Sequence, residues 1–186
     1  AKSPVTSVTI HATFSKSPAE KFIKQRTQVM SEDSNLVRDL VNTPPSHLHP
    51  VSLAEIIKKA VAAAGGDKAA LNISILNEKQ LKTQGFGGII GVGQGSVNPP
   101  RLVHISYTPK KSNKKFALVG KGITFDTGDL NLKPGQGMEA MKSDMAGAAA
   151  VCAGTLASAV LKLQVPIHSG CPRAETRVSA TSTRAA

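Results

Sequence analysis

Four side chains suited to metal and acid–base chemistry are concentrated in one segment, VGKGITFDTGDLNLKPGQGMEAMKSDMAG, at residues 119–147. Lys121 and Asp126 follow an aliphatic run that predicts a strand, Lys133 lies in a loop, and Asp144 stands at the start of an Ala-rich run that predicts a buried helix. Ligand sites in open α/β sheets lie at the carboxyl ends of strands. Carboxylates that converge there are costly without a cation, and hard divalent metals prefer oxygen ligands.

The same residues also fit a purely structural role. Asp and Lys side chains in Gly-rich loops commonly cap turns or pair with each other. A lysine joins a metal shell only as the neutral amine, which requires that burial or a nearby metal lower its pKa. The spacing alone therefore leaves two interpretations open: a metal site, or a pair of Asp–Lys salt bridges with turn-capping aspartates.

Longer motifs resemble a known family. VGKGITFDTG, the KPG turn and MEAMKSDMAGAAAV are similar to the leucyl (cytosol) aminopeptidases, a family of exopeptidases that use two metal ions. RDLVNTPP at 38–45 and GVGQGSVNPPRLV at 91–103 agree with the same family. The resemblance runs from about Val29 to the last residue and covers only the N-terminal half of the catalytic domain.

The resemblance implies a role for each residue. Lys121 would be an amine ligand of one metal, Asp126 would bridge both metals, and Asp144 would complete the lysine-bound site. Lys133 would be catalytic, because it would bind the peptide carbonyl oxygen and stabilise the charge that develops on it. Met141 would line the pocket for the N-terminal side chain of the substrate.

The implied reaction is the release of N-terminal amino acids, leucine preferred, from peptides by a water that Mn²⁺ or Zn²⁺ activates. The resemblance also implies a homohexamer in the cytoplasm. Because the N-terminus has no long apolar core, we expect no signal peptide. Because no run approaches about 18 apolar residues, we expect no membrane span. Cys152 and Cys171 form no CxxC pair, so we expect a buried free thiol at Cys152 and a reducing compartment.

The chain departs from the family in two places. The second family signature, Asn-Thr-Asp-Ala-Glu-Gly-Arg, which carries the remaining metal ligands and the second catalytic residue, does not occur in the 186 residues. We therefore expect this chain to hold at most one ion, weakly, and to be inactive alone. The family pattern Asp-Thr-Gly-Gly ends here in Asp129, a third carboxylate that either adds metal affinity or adds repulsion.

A second hypothesis follows from the charge. The net charge of +11 permits binding to nucleic acid or to an acidic partner, so a non-catalytic basic relative is the alternative function. Aromatic residues make up only 3% of the chain, which leaves little for base stacking. The densest basic run, PKKSNKK at 109–115, lies between two predicted strands and is interpreted as a solvated hairpin turn.

The elements that must position the site predict a truncated α/β fold, with a mostly parallel sheet and helices on both faces. Residues 1–17 are expected to be a remnant of a preceding linker, 18–170 the partial catalytic domain, and 171–186 a degenerate tail. His47 and His49 are expected in an exposed turn, and His104 and His168 within strands. Helices are predicted at 18–41, 52–64 and 138–163 and within NEKQLKTQ; strands within SVTIHATF, LNISIL, RLVHISY, KFALVG and VPIHS; and loops over GFGGIIGVGQGSVNPP and 122–137.

Overall fold

A computed structural model describes residues 5–11, 18–110 and 114–177 of the chain. The helices in these ranges are α1 (Pro18–Asn42), α2 (Pro50–Ala63), α3 (Glu78–Thr83), α4 (Gly87–Gly93), α5 (Gly135–Met138) and α6 (Ala146–Val160), with 3₁₀ helices at Gly66–Ala69 and Glu139–Ser143. The strands are β1 (Leu71–Leu76), β2 (Arg101–Tyr107), β3 (Phe116–Val119), β4 (Gly122–Ile123) and β5 (Ile167–Ala174). Residues 5–11 carry no regular structure, and the rest of the strand predicted in SVTIHATF lies outside the described residues.

The strands form one sheet in the order β1-β2-β5-β3, with β4 also paired to β5. β2 runs antiparallel to both β1 and β5, whereas β3 and β4 run parallel to β5. The expected α/β architecture is confirmed, and the sheet is mixed where we expected mostly parallel pairing. A buried strand has the same aliphatic pattern whether it pairs parallel or antiparallel to its neighbour. The sequence pattern therefore does not indicate the strand direction.

The strands on either side of the lysine-rich segment are not paired as the hairpin that the sequence suggested. β5 lies between β2 and β3, so the two strands that flank the lysines do not pair with each other. Lys110, Lys114 and Lys115 are exposed, as expected of a solvated segment. The pairing was missed because β5 is supplied from a distant part of the chain, and local sequence contains no trace of it.

His47 and His49 precede α2, in a turn and at the N-cap of the helix respectively. His47 is exposed in a turn. The His49 side chain accepts a hydrogen bond from the Ser52 N–H at 3.4 Å, and the His49 N–H donates to Ser52 Oγ at 2.9 Å. This reciprocal capping box satisfies backbone donors at the helix start. The helix α2 therefore begins at Pro50, directly after His49, and not at residue 52 as predicted.

The segment 85–100 was expected to be a loop throughout, but it contains α4. Glycine lowers the intrinsic helix propensity, which is why the sequence predicted a loop. Ile89 and Val92 of α4 line a cavity together with Pro172 of β5, so tertiary packing outweighs the local preference. Pro172 lies on the opposite face of β5 from Cys171, which belongs to the main core.

The main core lies on one face of the sheet, beneath α1, α2 and α6. Helices therefore cover both faces, since α4 packs on the other one. Residues 135–160 have the length and hydropathy of a membrane-crossing helix, but half of that window is buried inside the fold, as in a core helix. The fully buried members of the core include Leu48, Leu53, Ile57, Leu71, Val103, Ile105, Met145, Ala148, Cys152 and Cys171.

A histidine pair lies on the sheet face opposite the main core. His168 Nδ1 is 3.3 Å from His104 Nε2, and the ring centroids are 5.5 Å apart. Burial lowers the pKa of His104, and the neighbouring His168 lowers it further. Both residues lie within strands, as expected, and one ring donates to the other across the β2–β5 ladder.

Asp33 provides a test of the packing of α1. Burial raises the pKa of Asp33 from 3.8 to about 6, with a smaller contribution from Glu32, and its Oδ2 has no hydrogen-bond partner among the described residues. Because the folded state binds the proton more tightly than the unfolded chain, the charged form destabilises the fold above about pH 6, and the penalty disappears as the pH falls towards 3.8.

We expect Asp33→Asn to raise the free energy of unfolding at pH 7.5 by about 1 kcal/mol, a value discounted because the side chain is partly solvated. The gain should vanish near pH 4. Guanidinium denaturation at pH 7.5 and at pH 4 measures both values. Asp39→Asn, an exposed change on the same helix, is the control. Equal effects of the two substitutions, or a gain that is independent of pH, would contradict this assignment.

Candidate metal centre

Lys121 lies in a short break between β3 and β4, where the edge of the sheet meets the start of α6. The Lys121 carbonyl accepts a hydrogen bond from the Ala148 N–H at 2.8 Å. A Cβ on Gly120 would collide with the carbonyl oxygen of Gly147, so the close approach of the helix requires glycine at this point. The break therefore places the Lys121 side chain beside the N-terminus of α6.

Asp144 is the partner of Lys121. The Lys121 Nζ donates to Asp144 Oδ1 at 2.9 Å and lies 2.7 Å from Oδ2. The lysine side chain is 60% exposed, whereas the aspartate side chain is 18% exposed. Asp144 Oδ2 is itself buried, and no described group other than the Lys121 ammonium is its hydrogen-bond or ion-pair partner. Oδ2 therefore retains the capacity to bind a second electropositive partner.

Asp126 is held by a second lysine and by its own loop. The Lys133 Nζ lies 2.8 Å from Asp126 Oδ2. Asp126 Oδ1 accepts hydrogen bonds from the Gly128 N–H at 2.9 Å and from the Thr176 hydroxyl at 3.1 Å. Burial alone would raise the pKa of Asp126, but the hydrogen bonds from Lys133, Gly128 and Thr176 and the Lys133 charge lower it overall. The carboxylate is therefore ionised at neutral pH, which is the form that a metal ligand requires.

The loop between Asp126 and Lys133 closes on itself. The Lys133 N–H donates to the Thr127 carbonyl at 2.9 Å. Gly128 has a φ of +87°, and a Cβ there would collide with the Asn131 carbonyl oxygen. Asp129, at the position of the family glycine, has a φ of +53° and is exposed. Asp tolerates this left-handed region better than most residues, so the loop accommodates the substitution.

The structure assembles the predicted residues as two ion pairs, Lys121 with Asp144 and Lys133 with Asp126. It records no hydrogen bond or ion pair from Asp126 to Lys121 or Asp144. Within the described ranges, no group of three or more His, Cys, Asp or Glu side chains converges on a common point. The salt-bridge interpretation thus describes the observed contacts. Met141 is half-buried in the 3₁₀ helix immediately before Asp144.

One residue that positions the site was missed by sequence reasoning. The Thr176 hydroxyl donates to Asp126 and lies 2.7 Å from the Thr127 backbone nitrogen, whose N–H it accepts. Thr176 is fifty positions further along the chain than Asp126, inside the stretch expected to be a degenerate tail. β5 continues to Ala174, past the expected domain boundary at residue 170. Nothing in the local sequence pattern signalled this contact.

The comparisons with known proteins identify the family. Residues 35–186 match the cytosol aminopeptidase family, catalytic domain. The chain belongs to the cytosol aminopeptidase family. The probable cytosol aminopeptidase of Nocardia farcinica is 48% identical over 159 residues, which cover 86% of this chain and 30% of the relative. That of Corynebacterium diphtheriae is 49% identical over 148 residues, which cover 80% of this chain and 29% of the relative.

Solved structures agree with the same family. The bottromycin maturation enzyme BotP in complex with Mn is similar with a TM-score of 0.79 and 36% identity, over 90% of this chain and 35% of that one. The apo leucyl aminopeptidase of Trypanosoma cruzi is similar with a TM-score of 0.78 and 34% identity, over 91% of this chain and 31% of that one. This cytosol aminopeptidase family member spans about a third of the length of the relatives it matches.

Proposed function

We propose that this chain contributes the lysine-and-aspartate half of a metal-dependent aminopeptidase centre. In the whole enzyme, that centre would release N-terminal amino acids, leucine preferred, from peptides. The observation that carries the proposal is the placement of two carboxylates, each with a lysine less than 3 Å away, where β3 and β4 meet the start of α6. Membership of the cytosol aminopeptidase family supports peptide substrates and metal dependence.

The residues that would hold a metal are Lys121, Asp126 and Asp144. Their donor set suits one ion, since Asp126 is ionised and the Asp144 carboxylate is already paired with a cation, the Lys121 ammonium. Carboxylate oxygens suit Mn²⁺, and Zn²⁺ also accepts them. Lys121 would bind as the neutral amine, and its exposure gives the departing proton a route to solvent. The metal, when bound, supplies an activated water and polarises the scissile carbonyl.

Lys133 would act on the substrate directly. Its side chain is 31% exposed, and its ammonium is oriented by the Asp126 carboxylate. A fixed cation beside the ligand group can stabilise the negative charge that develops on the peptide carbonyl oxygen. Met141 is half-buried and lies three residues before Asp144. Its apolar side chain would line the pocket for the N-terminal side chain of the peptide, which fits a preference for leucine.

We further expect the complete protein to be a cytoplasmic homohexamer, as the leucyl aminopeptidase resemblance implies. The relatives carry the name cytosol aminopeptidase, which supports the location. The alternative function, a non-catalytic protein that binds nucleic acid, gains no support from the comparisons. We also propose that residues 18–170 belong to the partial catalytic domain.

Hydrolysis of leucine p-nitroanilide with added Mn²⁺ tests the proposal. The 186-residue chain supplies three ligands and lacks the second signature, so we expect negligible turnover from it alone. A chimera in which residues 35–177 replace the matching part of the Nocardia farcinica relative restores the missing groups, and we expect it to hydrolyse the anilide.

Substitutions in this chimera test the roles proposed for Asp126 and Lys133. Asp126→Asn and Lys133→Met should each reduce kcat about a hundredfold or more, in the range of lost electrostatic stabilisation. Asp67→Asn, an exposed change after α2, is the control and should leave kcat unchanged. The proposal fails if the folded chimera is inactive beside an active parent, or if the two site variants retain parental turnover.

A further inference from the structure

A buried polar seam joins α6 to β5, away from the candidate metal centre. Cys152 and Thr155 of α6 face Ser169, Cys171 and Arg173 of β5, and all five residues are 0% exposed. The Thr155 and Ser169 hydroxyls share a short hydrogen bond, and the two cysteine sulfurs lie 3.3 Å apart. Polar groups in an otherwise apolar core require mutual satisfaction, so the seam calls for a physical explanation.

Arg173 is the costly member of the seam. Its Nη2 donates to Cys152 Sγ at 3.6 Å, while Nε and Nη1 have no hydrogen-bond partner among the described residues. Arginine keeps its charge at any pH at which proteins fold, and a buried charge without an anion is strongly unfavourable. Helix α6, AGAAAVCAGTLASAV, contains no charged residue. Glu175, the acid nearest along the strand, accepts hydrogen bonds from Asn98 and Arg177 instead.

The cysteines are the groups in contact with Arg173 that can supply a negative charge. Ionising a thiol at neutral pH costs far less than burying a lone guanidinium. The hydrogen bond from Cys152 lowers the pKa of the Cys171 thiol, and Arg173 lowers it further against the effect of burial. The same sulfur–sulfur hydrogen bond and burial raise the pKa of Cys152. The two sulfurs, 3.3 Å apart, therefore share one proton and one negative charge beside the guanidinium, which donates to Cys152 Sγ.

We propose that Cys152 and Cys171 form a thiol–thiolate pair held by the Arg173 guanidinium, and that peroxides oxidise this pair to a disulfide linking α6 to β5. The site differs from the metal centre in residues and in chemistry, and the proposal does not depend on the aminopeptidase function. Its substrate class is a small, neutral hydroperoxide, for which hydrogen peroxide is the simplest member.

The reaction balances in two steps. The thiolate of the pair attacks one peroxide oxygen, the O–O bond breaks, and the departing hydroxide takes up a solvent proton to form water, leaving a sulfenic acid on that cysteine. The partner sulfur then attacks the sulfenic sulfur, the S–O bond breaks, and the hydroxide leaves with the partner thiol's proton as a second water. Two thiols and one peroxide give one disulfide and two waters.

Burial favours this reaction over others. Disulfide formation removes two hydrogens and adds no atoms, so it needs no space in a packed core, whereas alkylation or glutathionylation does. We therefore expect the native chain to react with hydrogen peroxide and to resist N-ethylmaleimide.

Mass spectrometry of the reduced 186-residue chain after treatment with hydrogen peroxide tests the proposal. The expected result is a loss of two hydrogens, a linked Cys152–Cys171 peptide after digestion, and a slower reaction in guanidinium, which separates the sulfurs. Retention of both thiols, further oxidation without a link, or equal rates with and without guanidinium would overturn it.

The role of the arginine has its own measurement. Arg173→Met removes the charge at similar volume, and we expect the rate of bridge formation at pH 7 to fall about tenfold or more, because less of the cysteine pair is then thiolate. Arg173→Lys should recover part of that rate, and the exposed change Arg38→Met should have no effect. An unchanged rate in Arg173→Met would exclude the guanidinium as the group that holds the thiolate.

Discussion

Removal of the Glu175 carboxylate should lower the free energy of unfolding by about 3–5 kcal/mol, the cost of breaking a buried ion pair. Glu175 is 0% exposed, and the Arg177 side chain is 8% exposed. Glu175 Oε1 accepts from Arg177 Nε at 2.9 Å, and Oε2 accepts from Asn98 Nδ2 at 2.8 Å and Ser96 Oγ at 3.2 Å. Glu175→Ala removes the acceptor from the buried Arg177 side chain and from the part-buried Ser96 and Asn98.

The contacts of Glu175 extend beyond the ion pair. They tie the loop after α4 to the end of β5, which also carries Thr176 and so supports Asp126. A Cβ on Gly95 would lie 2.7 Å from the Arg177 carbonyl oxygen, so the loop packs directly on this segment. Loss of Glu175 therefore loosens the loop, the strand end and the candidate site together.

Guanidinium denaturation of Glu175→Ala and Glu175→Gln measures this effect, and the neutral isostere should cost less because it keeps one acceptor. Glu20→Ala is the control, since Glu20 pairs with Lys24 on the surface of α1 and exposed pairs contribute at most about 1 kcal/mol. A loss in Glu175→Ala no larger than that in Glu20→Ala would contradict the buried network.

Gly120→Ala should disrupt the candidate site and the fold together. The added Cβ collides with the Gly147 carbonyl and lies 2.7 Å from Ala148 Cα. Both neighbours are backbone, so α6 must move away from the sheet and break the hydrogen bond from the Ala148 N–H to the Lys121 carbonyl. We expect a loss of about 3 kcal/mol in stability, at the upper end for overpacking, and weaker metal binding.

Gly154→Ala is the matched control for Gly120→Ala. Gly154 lies in α6, and a Cβ there meets no atom within 4 Å. Because alanine favours helix over glycine, this change should stabilise the chain by about 0.5–1 kcal/mol. Thermal unfolding of both variants suffices. Similar effects from the two alanines would show that the contact at Gly120 is not as tight as the structure has it.

The sequence predicted the position of the site residues and not their pairing. Lys121 at a strand end and Asp144 at a helix start follow from periodicity, which is a local property. That Lys133 pairs with Asp126 depends on how the loop closes through Gly128, and the support from Thr176 depends on a strand that arrives much later in the chain. Long-range contacts of this kind leave no mark in local spacing.

The fold shows the same division. The first two helices and strands β1–β3 were predicted within about two residues of their observed bounds, because amphipathic periods and proline stops act locally. The helix predicted over 138–163 starts instead as a 3₁₀ helix, with α6 at Ala146–Val160, and β5 continues past VPIHS to Ala174. α4 was missed because its glycines mask a helix that packing stabilises. The hairpin between β2 and β3 was wrong because β5 inserts between them. The buried Arg173 and Glu175 were interpreted as part of a polar tail, since polarity ordinarily indicates exposure.

Titration of Mn²⁺ into the 186-residue chain, followed by the electron paramagnetic resonance signal of the free ion, tests the central claim that Lys121, Asp126 and Asp144 form half of a metal centre. We predict one weak site whose affinity rises with pH, since Lys121 must lose its proton. Asp144→Asn and Asp126→Asn should abolish binding, and Asp67→Asn should not. Absence of Mn²⁺ binding, or equal binding by Asp144→Asn and the unaltered chain, would contradict the claim.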